Sequence, residues 1–331
     1  HIATMSSYTP SKTLPEFLKK HKYIKGFHPR ITHTRIPSKE HRVFGGSYYI
    51  DLNDKNTIEE FHNLYYDWVF TKQKDEYLTE AQKENENDFD NNNSWGPILV
   101  DFDFRYPITV EDHKHTDNHI MDMVALYLEK IKTIHECVDG ESIDIYIMEK
   151  DKVNQLKEKA VTKDGLHMII GLQMSHAGQI ELRKRVVKDI SNIWEDLPIT
   201  NTWDKVLDEG ISEGKTNWQM FGSRKPGHQS YQLKTKFVGT YNSTNSDWEL
   251  EVCKGKHDMK EMLSVLTPNY DCSEWRPTED AKMAIKSMQS NKPVKKNTKL
   301  KLKLTGTNNV LNMDDISNEE ELDQALERML E

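Results

Sequence analysis

Cysteine is scarce: Cys137, Cys253 and Cys272 are the only three in 331 residues, odd in number and far apart. That argues against a disulfide scaffold and a zinc cluster, and for a reducing compartment. No apolar run approaches the roughly 18 to 20 residues of a membrane-spanning helix, so no membrane partner is expected. The opening His1-Ile-Ala-Thr-Met5 has no apolar signal core and reads as a non-native leader before a native Met5. Hydrophobic residues make up 36% of the chain and charged ones 30%, with a mean hydropathy of −0.80. A compact domain of this length carries more apolar residues, so part of the chain is expected to be solvated loop or tail. Residues 71–94 contain neither glycine nor proline and are rich in Lys, Glu, Asp and Asn. The helix before them is expected to extend into the first part, and 84–93 to be a loop.

A net charge of −9 looks hostile to nucleic acid, but the acids are concentrated. Residues 307–331 carry −7 and residues 73–90 carry −5, which leaves +3 on the rest. Anionic partners are therefore compatible with the body of the chain. Residues 282–303 hold eight lysines and no acid, as a linker would, and 317–330 have the spacing of a helix start.

Hydrophobic periodicity predicts the elements. Thr13-Leu-Pro-Glu16 and Thr57-Ile-Glu-Glu60 are capping boxes that open helices. Thr32–Pro37 and Phe44–Ile50 read as strands. Ile98–Phe104 is a buried strand, Thr116–His135 a helix, Ile143–Met148 an alternating strand, Gly165–Ile170 a third strand and Ala177–Glu195 a second helix. The order β-α-β-β-α is most of a ferredoxin-like unit, which a strand at 217–221 or 237–241 would complete. The fold class expected is α+β.

Three segments carry chemistry. Asp101-Phe-Asp103 puts two carboxylates on one strand face, about 6 to 7 Å apart, where they repel unless a hard divalent cation such as Mg²⁺ or Mn²⁺ lies between them. The competing reading is a strand end whose acids face water. Lys163-Asp-Gly165-Leu-His167 brings a cation and an imidazole to a strand start, a reasonable triphosphate cradle, although a histidine there is commonly only a core-edge residue. Asp208 is a candidate third carboxylate, with Asp204 as its rival. The Gly222-Ser-Arg224-Lys225-Pro226 turn combines two cations with backbone N–H groups, either for anion binding or as a plain surface turn.

Together these segments resemble the catalytic core of the archaeo-eukaryotic primases, above all the primase-polymerase domains fused to superfamily 3 helicases in large DNA viruses. Ile98–Tyr106, Gly222–Pro226, Thr34-Arg35-Ile36 and Phe44–Tyr48 carry the likeness, which covers roughly 30–240. The resemblance implies a ferredoxin-like (RNA-recognition-type) unit beside a smaller N-terminal αβ module, with a cleft between them. It implies that Asp101, Asp103 and Asp208 hold two divalent metals, that Lys163 and His167 contact the incoming triphosphate, and that Arg224 or Lys225 faces phosphates or template. An N-terminal arginine, Arg35 or Arg42, is expected to join them. Gly165 stands where many relatives have serine, so a phosphate contact there falls to backbone N–H.

The domains expected are a leader over 1–12, an N-terminal module over 13–94 with its acidic loop at 73–94, a catalytic core over 95–277, and a flexible connection over 278–331 toward a missing helicase. Partners are single-stranded DNA and nucleoside triphosphates. No zinc-binding Cys/His set is visible, so no zinc is expected. A viral chain of this kind acts in the infected host cell. A metal-dependent glycosyltransferase shares the Asp-x-Asp but not His167 or the basic turn. An RNA-recognition module lacks any reason for two acids on a strand.

Overall fold

The computed structural model describes residues 8–83, 89, 92–270 and 272–291. The expected leader, most of the loop at 84–93 and the acidic terminal helix lie wholly or largely outside these. Contacts divide the chain after Lys286. The first unit holds two sheets. The second, 287–331, is described only over the end of one helix.

Eleven strands are described: β1 (His33–Arg35), β2 (Gly46–Tyr48), β3 (Leu78–Glu80), β4 (Gly96–Pro107), β5 (Ser142–Glu149), β6 (Asn154–Leu156), β7 (Val161–Met174), β8 (Trp218–Gln219), β9 (Gln232–Asn242), β10 (Asp247–Val252) and β11 (Ser273–Glu274). The α-helices are α1 (Leu14–Lys20), α2 (Lys55–Tyr66), α3 (Asp117–Ile134), α4 (His176–Val187), α5 (Ser191–Trp194), α6 (Trp203–Val206), α7 (Glu209–Ser212) and α8 (Glu279–Ser290). The smaller sheet runs β2-β1-β3-β8. The larger runs β10-β9-β5-β7, with β4 on the far side of β7 and the short β6 and β11 paired to the ends of β7. The molecule is α+β.

Caps start the helices where side-chain chemistry demands. Thr13 accepts from the Glu16 amide, and Thr116 and His119 form a reciprocal capping box for α3. For α2 the cap is Asp54, whose carboxylate accepts from Asn56 N–H and the Thr57 hydroxyl; Thr57, the expected cap, is already inside the helix. The stretch expected to lengthen α2 ends in a π-helical turn over Asp67–Thr71 and then gives the buried strand β3. The described part of the expected linker is α8, with Ala281 and Ile285 buried and Asp280 bonded to Arg185.

β4, β7 and β5 reproduce the first three strands of a ferredoxin-like sheet, antiparallel in the order β4-β7-β5. The fourth is not where the pattern predicts. Trp218–Gln219 completes the small sheet by pairing with β3. The 237–241 segment lies in β9, which joins the opposite edge beside β5. Loop pieces cover the outer edge of β4 instead. Leu207 forms an isolated bridge with Phe102, and Thr200 N–H donates to the Arg105 carbonyl. The Asn201 side chain accepts from Arg105 N–H and donates to the Asp103 carbonyl, as a neighbouring strand would.

The two faces of the large sheet have different partners. Phe102 and Phe104 pack against Trp194 on the α5 side, and Phe102 also meets Tyr127 of α3. On the other face Leu99, Tyr146, Met148 and Ile169 share one hydrophobic core with Leu14, Phe17, Phe61 and Tyr65 of the N-terminal helices. Asp101 and Asp103 follow Leu99 along that second face.

Candidate active site

Register builds the site. Across the β4–β7 ladder Leu99 faces Ile169, Asp101 faces His167, Asp103 faces Gly165 and Arg105 faces Lys163. Opposed residues of an antiparallel pair share a face, so the stripe passes from core to chemistry in one step. His167 Nε2 lies 3.5 Å from Asp101 Oδ1, and Lys163 Nζ 3.6 Å from Asp103 Oδ2. A cleft of about 210 Å³ opens here, lined by Asp101, Asp103, Asp208, Lys150, Lys163 and Lys225 among others.

Asp208 is the N-cap of α7: one carboxylate oxygen accepts from Ile211 N–H. Its own N–H donates to the Asp101 carbonyl at 3.0 Å, which ties the third acid to the first. Asp204 lies in α6 and is not among the residues lining the cleft. The Asp101 carboxyl is pushed up to about 7, by burial first and then by the Asp208 charge, with Lys225 opposing and Asp103 adding. A carboxyl so placed gains from any cation that enters. That electrostatic strain, together with an all-oxygen donor set, fits Mg²⁺ or Mn²⁺.

His167 is buried and stacked on Tyr231, ring centroids 3.7 Å apart, with Trp218 at 4.5 Å. Burial, Lys150 and Lys225 lower its pKa to about 3. The imidazole is therefore neutral at physiological pH and acts as a hydrogen-bonding group, not a cation. Gly165 has a steric reason: a Cβ there would come 2.4 Å from the Phe102 carbonyl oxygen. No side chain, serine included, fits at that position in this ladder.

The basic turn splits. Lys225 lines the cleft, whereas Arg224 points to Asp75 at 3.3 Å and lines a separate cavity. Ser223 is buried, its hydroxyl bonded to Tyr65 and Leu78 N–H. Arg35 does not reach the cleft; it makes a two-point ion pair with Glu76 at 2.7 and 3.0 Å. Arg42 is exposed on the 38–43 hairpin, whose His41 ring lies against Gly227 of the basic turn, but it is not among the residues lining the cleft. Lys150 and Tyr231 went unread in the sequence. For Lys150 the signal was present, since Tyr146, Met148 and Lys150 alternate on the His167 face.

Residues 32–237 match the family described as the C962R protein N-terminal AEP domain, AEP standing for archaeo-eukaryotic primase. The matched span exceeds half of the chain. The chain belongs to this primase family. The primase match runs from the edge of β1 into β9, and so takes in the small sheet, β4 to β7 of the large sheet and every candidate site residue. A 152-residue alignment at 30% identity also relates the chain to the Acanthamoeba polyphaga mimivirus protein named "Putative helicase L207/L206". It covers 45% of this chain and 14% of that protein. Among the described residues, no helix is long and apolar enough to cross a membrane.

Proposed function

We propose that the chain is a primase-polymerase domain that joins nucleoside triphosphates on a single-stranded DNA template. The observation that carries this reading is the stripe in which Asp101 and Asp103 share a face with His167, the two aspartates opening into a cleft also lined by Lys150, Lys163 and Lys225. Asp101, Asp103 and Asp208 would hold two divalent ions, Mg²⁺ or Mn²⁺. Metal held there would supply Lewis acidity toward an attacking 3′-hydroxyl and positive charge beside a departing pyrophosphate.

The chain's own residues do the rest. Lys163 and Lys225 flank the carboxylates and complement a triphosphate. Lys150 enters from the end of β5, its ammonium 5.0 Å from the Tyr231 ring centroid. Neutral His167 offers a hydrogen bond to a phosphate oxygen, and the Tyr231 and Trp218 rings fix its plane. Gly165 lets the triphosphate approach the strand backbone. Of the two arginines expected at the site, Arg35 is held by Glu76, and Arg42 sits on the hairpin beside the basic turn. The named relative and the 14% coverage support reading this chain as part of a longer viral replication protein that includes a helicase, working in the infected cell.

The test is primer-free synthesis on single-stranded DNA, with each nucleotide pool and with Mg²⁺ or Mn²⁺. Product from the wild type and none from Asp101→Ala is the expected result. Absence of product under every condition, from primed templates as well, rejects the reading.

A further inference from the structure

On the opposite face of β7 lies a second cluster of ligating side chains that nucleotidyl transfer does not use. Asp164 alternates with Lys163 and Gly165, so it faces away from the aspartates. His113 and His115 approach it from the loop that joins β4 to α3. The Asp164 Oδ2 atom lies 2.8 Å from His113 Nδ1 and 3.5 Å from His115 Nδ1. One ligand atom from each of the three falls within 4.8 Å of the others. No second trio this tight is found among the described residues, the three aspartates of the cleft included.

The surroundings orient these rings as a metal site orients its histidines. His113 Nε2 is 3.1 Å from the Asp151 carbonyl oxygen, and His115 Nε2 contacts the Glu149 carboxylate. Each Nε2 thus faces an acceptor and each Nδ1 is turned toward Asp164; without a metal, His113 Nδ1–H donates to Asp164 Oδ2, and a metal ion would take the place of that proton. A carbonyl or carboxylate behind the ring is the usual way a ligating imidazole is held in its tautomer. Asp164 Oδ1 is likewise occupied, by Gly165 N–H, which leaves Oδ2 toward the rings. The His115 side chain is 2% exposed, and its Nδ1 has no hydrogen-bond partner. A buried, unpaired ring nitrogen aimed at two other ligand atoms is costly unless something fills the gap.

We propose that His113 Nδ1, His115 Nδ1 and Asp164 Oδ2 bind a zinc-type divalent ion, distinct from the hard cations of the cleft. Two imidazoles and one carboxylate favour zinc over magnesium. The expectation that zinc is absent rested on the lack of a Cys/His set; here nitrogen and oxygen ligands suffice. The ion pins the loop between β4 and α3 to β7, directly behind Lys163 and Gly165. Glu149 is a positioning residue acting through His115.

The experiment strips the full chain with chelator, restores it with zinc or cobalt in excess Mg²⁺, and counts bound metal after gel filtration. Wild type should retain one equivalent of zinc, show a cobalt visible band and melt at a higher temperature with zinc than without. Asp101→Ala/Asp103→Ala should do the same. His113→Gln should lose the equivalent and the band. Glu149→Gln should weaken zinc binding about 10- to 100-fold. His113 is partly exposed, so its replacement leaves the core intact, and circular dichroism of the metal-free variant confirms the fold. The proposal fails if wild type keeps no zinc, which would make the cluster a histidine–carboxylate ion-pair set. It fails equally if His113→Gln keeps zinc undiminished, or if the double aspartate variant loses it.

Discussion

On the proposed function, Asp101 is where activity and stability pull in opposite directions. Its carboxyl titrates near 7 in the fold and near 3.8 when unfolded. A raised acid destabilises the native state once the unfolded chain has ionised. The penalty is therefore absent below 3.8, grows up to about 7 and is level above that. Asp101→Asn should raise the melting temperature of metal-free protein at pH 8, with no gain at pH 3.5, and should abolish synthesis. Equal melting at pH 8 would show that the carboxyl is not strained. His167 gives a complementary expectation: with its pKa near 3 it contributes no inflection between pH 6 and 7 to kcat. His167→Ala should cost roughly 1.5 to 3 kcal/mol of transition-state stabilisation, the worth of a hydrogen bond to a charged group, read as a ten- to hundredfold fall in kcat/KM. Gly165→Ser should destabilise by about 1 to 3 kcal/mol, as overpacking does, because the strand must move off the Phe102 carbonyl; a denaturant midpoint checks it.

At the scale of elements, α8 places a partly buried helix over Glu279–Ser290, at the start of the stretch expected to be a flexible connection. Ile285 is 1% exposed, and truncating it to Ala should cost about 2 to 5 kcal/mol. A chain ending near Pro277 should consequently unfold at lower denaturant than one ending at Asn291. The sequence made α1 and α3 readable because caps and periodicity are local. It made the Asp-x-Asp face readable because strand alternation is also local. The edge at which the last strand of the ferredoxin pattern docks was not readable. Trp218–Gln219 and the 237–241 stretch are both short and apolar, and only tertiary pairing sends one to β3 and the other to β5. β3 itself was hidden by acidic neighbours: Glu80 is buried there, accepting from Val265 and Leu266 N–H. The His113/His115 pair escaped because its carboxylate partner is 51 and 49 residues on in sequence and meets it only through the sheet.

For the molecule as a whole, buried ionisable groups of opposite sense nearly offset one another. His33 and His167 titrate near 3 and His62 near 4, so the unfolded chain takes up their protons first as pH falls below 6.5, and stability drops. Asp101 and Glu80 titrate near 7 and take up protons in the folded state over the same range, and stability rises. Removing both acids, as Asp101→Asn/Glu80→Gln, should steepen the loss of stability between pH 6.5 and 4.5 by about two protons, measurable from denaturant midpoints. The rim of β4 has a consequence for association. A bare strand edge invites a second copy of the chain to pair with it. Here a single amide side chain, Asn201, closes two of the open groups, Thr200 and Asp208 N–H close the Arg105 and Asp101 carbonyls, and Gln179 meets the Leu99 amide and the Pro97 carbonyl. Asn201→Ala re-exposes a donor and an acceptor beside the aspartates. The variant should self-associate as its concentration rises, visible by light scattering while wild type remains unchanged, so that one asparagine guards the solubility of a replication domain as well as the shape of its cleft.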